Sequence, residues 1–214
     1  MDNTDDKYSP KAVPPWNEKS VNTEWDRAAK IPVKSLDWSR KYIVTLPPTI
    51  FTSDYASKLI KLNLDTNQLE QLPVEFGKLN HLTHLDLSSN RFSTFPLAIL
   101  DLERLQCLKM ERNSLIALPQ LSPLKNLTFV SFFGNRIETI PNDCFNEMTA
   151  LKHVDLALNY IPEMPDSLNH LRSTVENFFL DIEIIEKPPP KQRRAKAAAQ
   201  PKKKNPPPKK RTKK

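Results

Sequence analysis

Residues 59–73 read LIKLNLDTNQLEQLP and residues 82–96 read LTHLDLSSNRFSTFP. Laid on each other, they place an apolar residue at the first, fourth, sixth, eleventh and fourteenth positions, an asparagine at the ninth and a proline at the fifteenth. The same frame fits LQCLKMERNSLIALP at 105–119, LTFVSFFGNRIETIP at 127–141 and LKHVDLALNYIPEMP at 151–165. The asparagines Asn67, Asn90, Asn113, Asn135 and Asn159 follow one another at 23, 23, 22 and 24 residues. A period of that length marks a stack of equivalent units that bury a continuous core between neighbours. The frame also predicts local structure. Apolar residues two apart belong to a short strand, and the asparagine falls where the chain turns out of it, in a tight turn whose buried donors and acceptors an amide can satisfy.

Outside the five copies the frame decays. Val33, Leu36, Trp38, Ile43, Leu46 and Pro47 keep the spacing but put Lys41 at the asparagine position, and Val175, Phe178, Leu180 and Ile185 do so with Glu183. Both read as capping units whose substituted position lies near solvent. The 26-residue step from Lys41 to Asn67 places a short insertion near residues 51–57. The pattern L-x-x-L-x-L-x-x-N-x-L resembles the leucine-rich repeat family, in the short intracellular variety with L-P after the asparagine. The resemblance implies an α/β solenoid, a horseshoe with a short parallel sheet on its concave face, and an asparagine ladder between coils. Six coils and a C-terminal half coil are expected.

Three segments follow: a leader at 1–32, a repeat domain at 33–186 and a tail at 187–214. In the leader, Asn22–Lys30 predicts a short capping helix, with Thr23 and Asp26 at capping-box spacing; an aromatic docking motif around Trp16 and Trp25 is the alternative. The chain has 32 Lys/Arg against 25 Asp/Glu, yet residues 187–214 hold 13 of the basic residues and none of the acidic ones. The rest of the chain is therefore acidic, with 19 basic residues against 25. A tail rich in lysine and proline predicts disorder, because it cannot bury enough apolar surface to order itself.

Composition excludes some chemistry. Two glycines in 214 residues cannot supply a Gly-rich phosphate loop. Two cysteines do not make a disulfide framework, and the polar start Met1–Ser9 and the lack of a long apolar run predict a chain with no cleaved leader or transmembrane segment. A reducing compartment is expected: cytoplasm, nucleus or the cytosolic face of the endoplasmic reticulum.

Strand alternation makes the partner-facing surface readable. If the L-x-L leucines point inward, the column before them (Ser35, Lys61, His84, Cys107, Phe129, His153, Asn177) points outward. So do the column between them (Asp37, Asn63, Asp86, Lys109, Ser131, Asp155, Phe179) and the one after (Ser39, Asp65, Ser88, Glu111, Phe133, Ala157, Asp181). Candidate protein-binding residues are the acidic Asp65, Asp86 and Glu111, with His84 and Cys107 beside them, and the aromatic or apolar Phe129, Phe133, His153 and Leu158. Phe132 and Phe133 should split, one into the core and one onto the surface. Phe76, Ile99, Phe145, Leu79, Leu102, Leu124 and Leu168 are assigned to the core of the convex side.

His84 and Cys107 fall in one column on adjacent strands, but a nucleophile needs an orienting group, an oxyanion site and a pocket, and only Asp86 is at hand. Zinc fails because His153 lies two strands from Cys107. No catalytic, metal or cofactor site is assigned. In the tail, Arg193, Arg194, Lys202, Lys203, Lys204, Lys209, Lys210, Arg211, Lys213 and Lys214 are candidates for contact with RNA, a ribosome, an import receptor or an anionic surface. Lysine clusters without interleaved aromatics favour phosphate contact over base reading. The sequence thus predicts a monomeric, non-catalytic adaptor that binds another protein through its concave face and uses the tail for nuclear targeting or polyanion attachment. The alternative is a ribosome- or RNA-associated factor in which the tail carries the affinity. QLPVEFGKL and HLDL within 71–87, together with the lysine- and proline-rich end, are similar to the ribosome-associated leucine-rich repeat proteins of the endoplasmic reticulum.

Overall fold

A computed structural model describes residues 34–51, 56–162, 166–169 and 171–181. The leader, residues 52–55 of the insertion expected near 51–57, Glu183 and the whole tail lie outside them, and with them the expected capping helix and every basic candidate of the tail. Seven three-residue strands stack in chain order into one parallel sheet: β1 (Ser35–Asp37), β2 (Lys61–Asn63), β3 (His84–Asp86), β4 (Cys107–Lys109), β5 (Phe129–Ser131), β6 (His153–Asp155) and β7 (Asn177–Phe179). Register follows the repeat frame without a slip, from Leu36 opposite Leu62 to Val154 opposite Phe178.

Each coil returns across the convex side by a compact route. Pro48–Phe51, Val74–Lys78 and Leu97–Asp101 form 3-10 turns, the fifth coil uses plain turns, and the sixth closes with short helices at Asp166–Asn169 and Leu171–Thr174. The proline of the frame sits just before two of these turns in extended backbone, at Pro73 and Pro96, where a missing N–H costs nothing. Phe76, Ile99, Phe145, Leu79, Leu102, Leu124 and Leu168 are all buried, as the sequence predicts. The first and second leucine positions form two solid rows, which loosen only in the last coil, where Phe178 and Leu180 are partly buried. Gly77 packs closely on the next coil, where an added Cβ would stand 2.5 Å from Asp101 Oδ2 and 2.9 Å from Asp101 Cβ.

The asparagine ladder holds one coil to the next. Asn113 is typical: its Nδ2 donates to Leu87 O of the preceding coil and to Met110 O and Glu111 O of its own, while Phe92 N–H donates to its Oδ1. Asn90, Asn135 and Asn159 repeat this bridge, and Asn67 does so against the first coil, accepting from Ile43 N–H and donating to Trp38 O. All five are buried and Lys41 at the capping position is exposed. The residue before each ladder position adopts left-handed backbone: Arg40, Thr66, Ser89, Arg112, Gly134 and Leu158 have φ between 52° and 67°. That conformation aims their N–H groups along the stack. Thr66 donates to Ser88 O, Ser89 to Glu111 O, Arg112 to Phe133 O and Gly134 to Ala157 O, whereas Leu158 at the end of the series donates to the Asp181 carboxylate at 3.1 Å.

Asn113→Ala should leave the buried Phe92 N–H of the preceding coil without its acceptor and take one of two donors from Leu87 O, Met110 O and Glu111 O, and cost about 2 kcal/mol by urea unfolding, since an unsatisfied buried group costs about 1–3 kcal/mol. Asn67→Ala, next to the capping coil with its exposed Lys41, should cost less. Equal losses would contradict the coupling of coils described here.

Candidate protein-binding face

The outward columns fall where the alternation predicts, with Ser35, Lys61, His84, Cys107, Phe129, His153 and Asn177 in lateral register. Their exposure is uneven, and the reason is local hydrogen bonding. Strands of three residues must turn at once, and the middle column closes that turn. Asp37 Oδ1 accepts from Ser39 N–H, Asn63 Oδ1 from Asp65 N–H, Asp86 Oδ1 from Ser88 N–H and Asp155 Oδ1 from Ala157 N–H, each at 2.9–3.0 Å. Ser131 Oγ takes the Phe133 N–H at 3.5 Å. In β4 the position is Lys109, which has no acceptor, and Glu111 N–H turns instead to Ser88 Oγ of the coil before, at 3.3 Å.

This bonding corrects one expectation and adds a structural role to some of the acidic candidates. Ser88 and Ser131, assigned to the outward columns, are buried at 7% and 1% exposure because their hydroxyls serve the turns. Asp86, a candidate for attracting a basic ligand, spends one carboxylate oxygen on its own turn, as does Asp37, whose carboxyl is held below its usual value by the Ser39 N–H and then the Ser39 hydroxyl. Asp65 likewise receives the Thr66 hydroxyl at 2.8 Å. Sequence reading missed this role, although a column of Asp, Asn and Ser two residues before each turn is its signal.

The N-terminal half of the face is a shallow depression of about 350 Å³ lined by Asp37, Lys61, His84, Asp86, Cys107 and Lys109. His84 and Cys107 are neighbours in register and both half-buried. Burial, then the charge of Lys61, lowers the imidazole pKa, and burial above all raises the Cys107 thiol. Each shift favours the neutral form, so the pair is poised against a thiolate–imidazolium couple. The His84 ring instead lies 2.8 Å from Thr83 Oγ1. Cys144 is buried, donates to Pro119 O and is pushed up to about 12 by desolvation. Among the described residues no group of three His, Cys, Asp or Glu is arranged to hold a metal ion, and no helix is long and apolar enough to cross a membrane.

The C-terminal half is aromatic. Phe129 stacks on His153 with ring centroids 4.2 Å apart and planes 9° from parallel, and Phe179 leans on His153 from the last strand at 5.6 Å. Lys109 Nζ stands 5.8 Å from the Phe129 ring centroid. Phe132 is fully buried and Phe133 half-exposed, the split the frame requires. Leu158 is exposed, but it belongs to the left-handed turn after β6 and not to the strand columns. Phe179, not singled out as a candidate, is 49% exposed and extends the stack.

With this geometry in view, the comparisons place the domain. The sequence profile of the family described as "Leucine rich repeat" matches residues 32–92 and 57–115. A leucine-rich repeat protein of Leptospira interrogans superposes with a TM-score of 0.63 at 29% identity, covering 73% of this chain and 39% of that one. Residues 32–115 thus match the leucine-rich repeat family, and the stacked parallel strands have its fold, which serves generally as a protein-interaction scaffold. Adenylate cyclase of Schizosaccharomyces pombe is 34% identical over 129 residues, 59% of this chain but 8% of the cyclase, and mouse Tsukushi is 33% identical over 132 residues, 58% of this chain and 36% of that protein. This chain therefore spans well under half the length of the relatives it matches.

Because burial keeps both thiols protonated, Ellman's reagent at pH 8 should modify native Cys107 more slowly than free cysteine and leave Cys144 untouched until the chain unfolds. Prompt reaction of both sites in the native protein would contradict the burial described.

Proposed function

We propose that this chain is a non-catalytic adaptor whose concave face binds a protein partner and whose basic tail supplies nuclear targeting or polyanion attachment. The observation that carries the reading is the Phe129–His153–Phe179 stack, half-buried at Phe129 and His153 and exposed at Phe179, on strands where alternation asks for solvent-facing side chains. Buried aromatic anchors dominate many protein interfaces, and an aromatic cluster on a rigid sheet loses little entropy when covered. The shifts of His84 and Cys107 toward their neutral forms support a non-catalytic role. A monomer in the cytoplasm, in the nucleus or at the cytosolic face of the endoplasmic reticulum completes the proposal.

The second reading is favoured by the charge of residues 187–214, with 13 basic side chains and no acidic one. In that reading the chain is a ribosome- or RNA-associated factor, phosphate neutralisation by the tail supplies the main affinity, and the repeats dock a neighbouring protein.

The discriminating experiment is affinity capture from lysate with the full chain, the Phe129→Asp variant and a variant with Lys202, Lys203, Lys204, Lys209 and Lys210 changed to Gln, each with and without nuclease. The adaptor reading expects a defined protein set that survives nuclease and the tail changes and is lost in Phe129→Asp. Loss of all captured material on nuclease treatment or tail neutralisation, with Phe129→Asp unaffected, would replace it with the second reading.

A further inference from the structure

The aromatic half of the concave face has a chemistry more specific than exposure. Read as a grid, β5, β6 and β7 put Phe129 and His153 in the first column, Ser131, Asp155 and Phe179 in the second, and Phe133, Ala157 and Asp181 in the third. Small residues, Ser131 and Ala157, occupy the positions beside Asp155, so the carboxylate stands on a low floor among larger aromatic neighbours. Neighbouring strands lie about 4.8 Å apart and alternate residues about 6.7 Å apart. Asp155 Oδ1 is engaged by the Ala157 N–H, and among the described residues the carboxylate makes no ion pair. Phe179, its register partner on the last strand, is half-exposed.

The stack also displays its taste in ligands. At its other end a cation of the chain itself, Lys109, already stands within cation–π range of Phe129. The Phe179 end offers the same π surface with a carboxylate on the neighbouring strand and, among the described residues, no cation over the ring. Glu111 and Asp181 in the third column add negative charge at the margins, whereas Lys109 is the one lysine or arginine among the side chains of the grid around them. An aromatic face with one adjacent carboxylate suits a planar guanidinium better than an ammonium, because the guanidinium lies flat on a ring while its edge donates two parallel hydrogen bonds.

We propose that this subsite takes an arginine side chain of an extended segment of the partner protein, its guanidinium lying on Phe179 and paired with the Asp155 carboxylate. The inference rests on the concave-face reading above and adds the chemistry of what is bound. Asp155→Asn is a clean probe, because Asn63 closes the same turn in β2 with an amide oxygen at 2.9 Å. It removes the charge and keeps the fold. Phe179→Leu removes the ring at a half-exposed position of the edge strand.

The test titrates the full-length protein with the peptide acetyl-Gly-Arg-Gly-Arg-Gly-amide and its lysine counterpart, following the ring resonances of His153 and Phe179 by NMR. The arginine peptide should shift both saturably, the lysine peptide should bind several-fold more weakly, and Asp155→Asn and Phe179→Leu should each weaken arginine binding about tenfold with an unchanged circular dichroism spectrum. Equal response to both peptides, shifts confined to the Asp65–Asp86 half, indifference to either substitution, or no saturable shift would each overturn the proposal. Failure here with capture still lost in Phe129→Asp would leave the adaptor reading standing. Saturable arginine binding with capture indifferent to Phe129→Asp would instead remove the adaptor reading and keep the subsite.

Discussion

Every coil of this stack has to turn the chain in a space where backbone donors and acceptors lose their water, and the rest of the structure depends on how that is met. The ladder amide of Asn67, Asn90, Asn113, Asn135 and Asn159 meets it by joining two coils through one side chain. An amide carries both donors and acceptor in a rigid plane, so a carboxylate or an ammonium cannot replace it in the interior. Each coil is thereby satisfied by its neighbours alone, which makes stability a matter of adjacent contacts. The left-handed residue before each ladder position belongs to the same solution, since it turns one more N–H toward the next coil.

The concave face inherits this constraint. Four Asp or Asn side chains of the middle column bind the turn that follows their own strand. Where Lys109 interrupts the series, Ser88 of the preceding coil supplies the missing acceptor. Part of the acidity of this face therefore also closes the turns beneath it, while the aromatic side chains of β5 to β7 stack on one another.

Much of the fold was legible because it is written in side chains. Leucine spacing set the strands and their register, and asparagine spacing set the ladder. The left-handed turn was not legible: Arg40, Thr66, Ser89, Arg112 and Leu158 hold a conformation that favours glycine, and only Gly134 announces it. The cost of roughly 1–2 kcal/mol at each such residue is offset by the cross-coil hydrogen bond it allows, an energy that no single-residue preference encodes. The site was half legible. Alternation named Phe129, Phe133 and His153, but Ser88 and Ser131 of the outward columns are covered, their short hydroxyls accepting backbone N–H groups of the turns. Phe179 was passed over because one aromatic in a terminal coil looks like a cap until His153 is seen beside it.

The division of labour among the columns also sets how this surface can be rewritten. The middle column is confined mostly to short hydrogen-bond acceptors; of its two large departures, Lys109 leaves its turn to Ser88 of the preceding coil and Phe179 stands on the last strand. The first column carries no such duty, and its seven members are Ser, Lys, His, Cys, Phe, His and Asn, small and large, charged and neutral. Side chains can therefore be exchanged along that single line, one letter per coil, while the turns beneath stay the same.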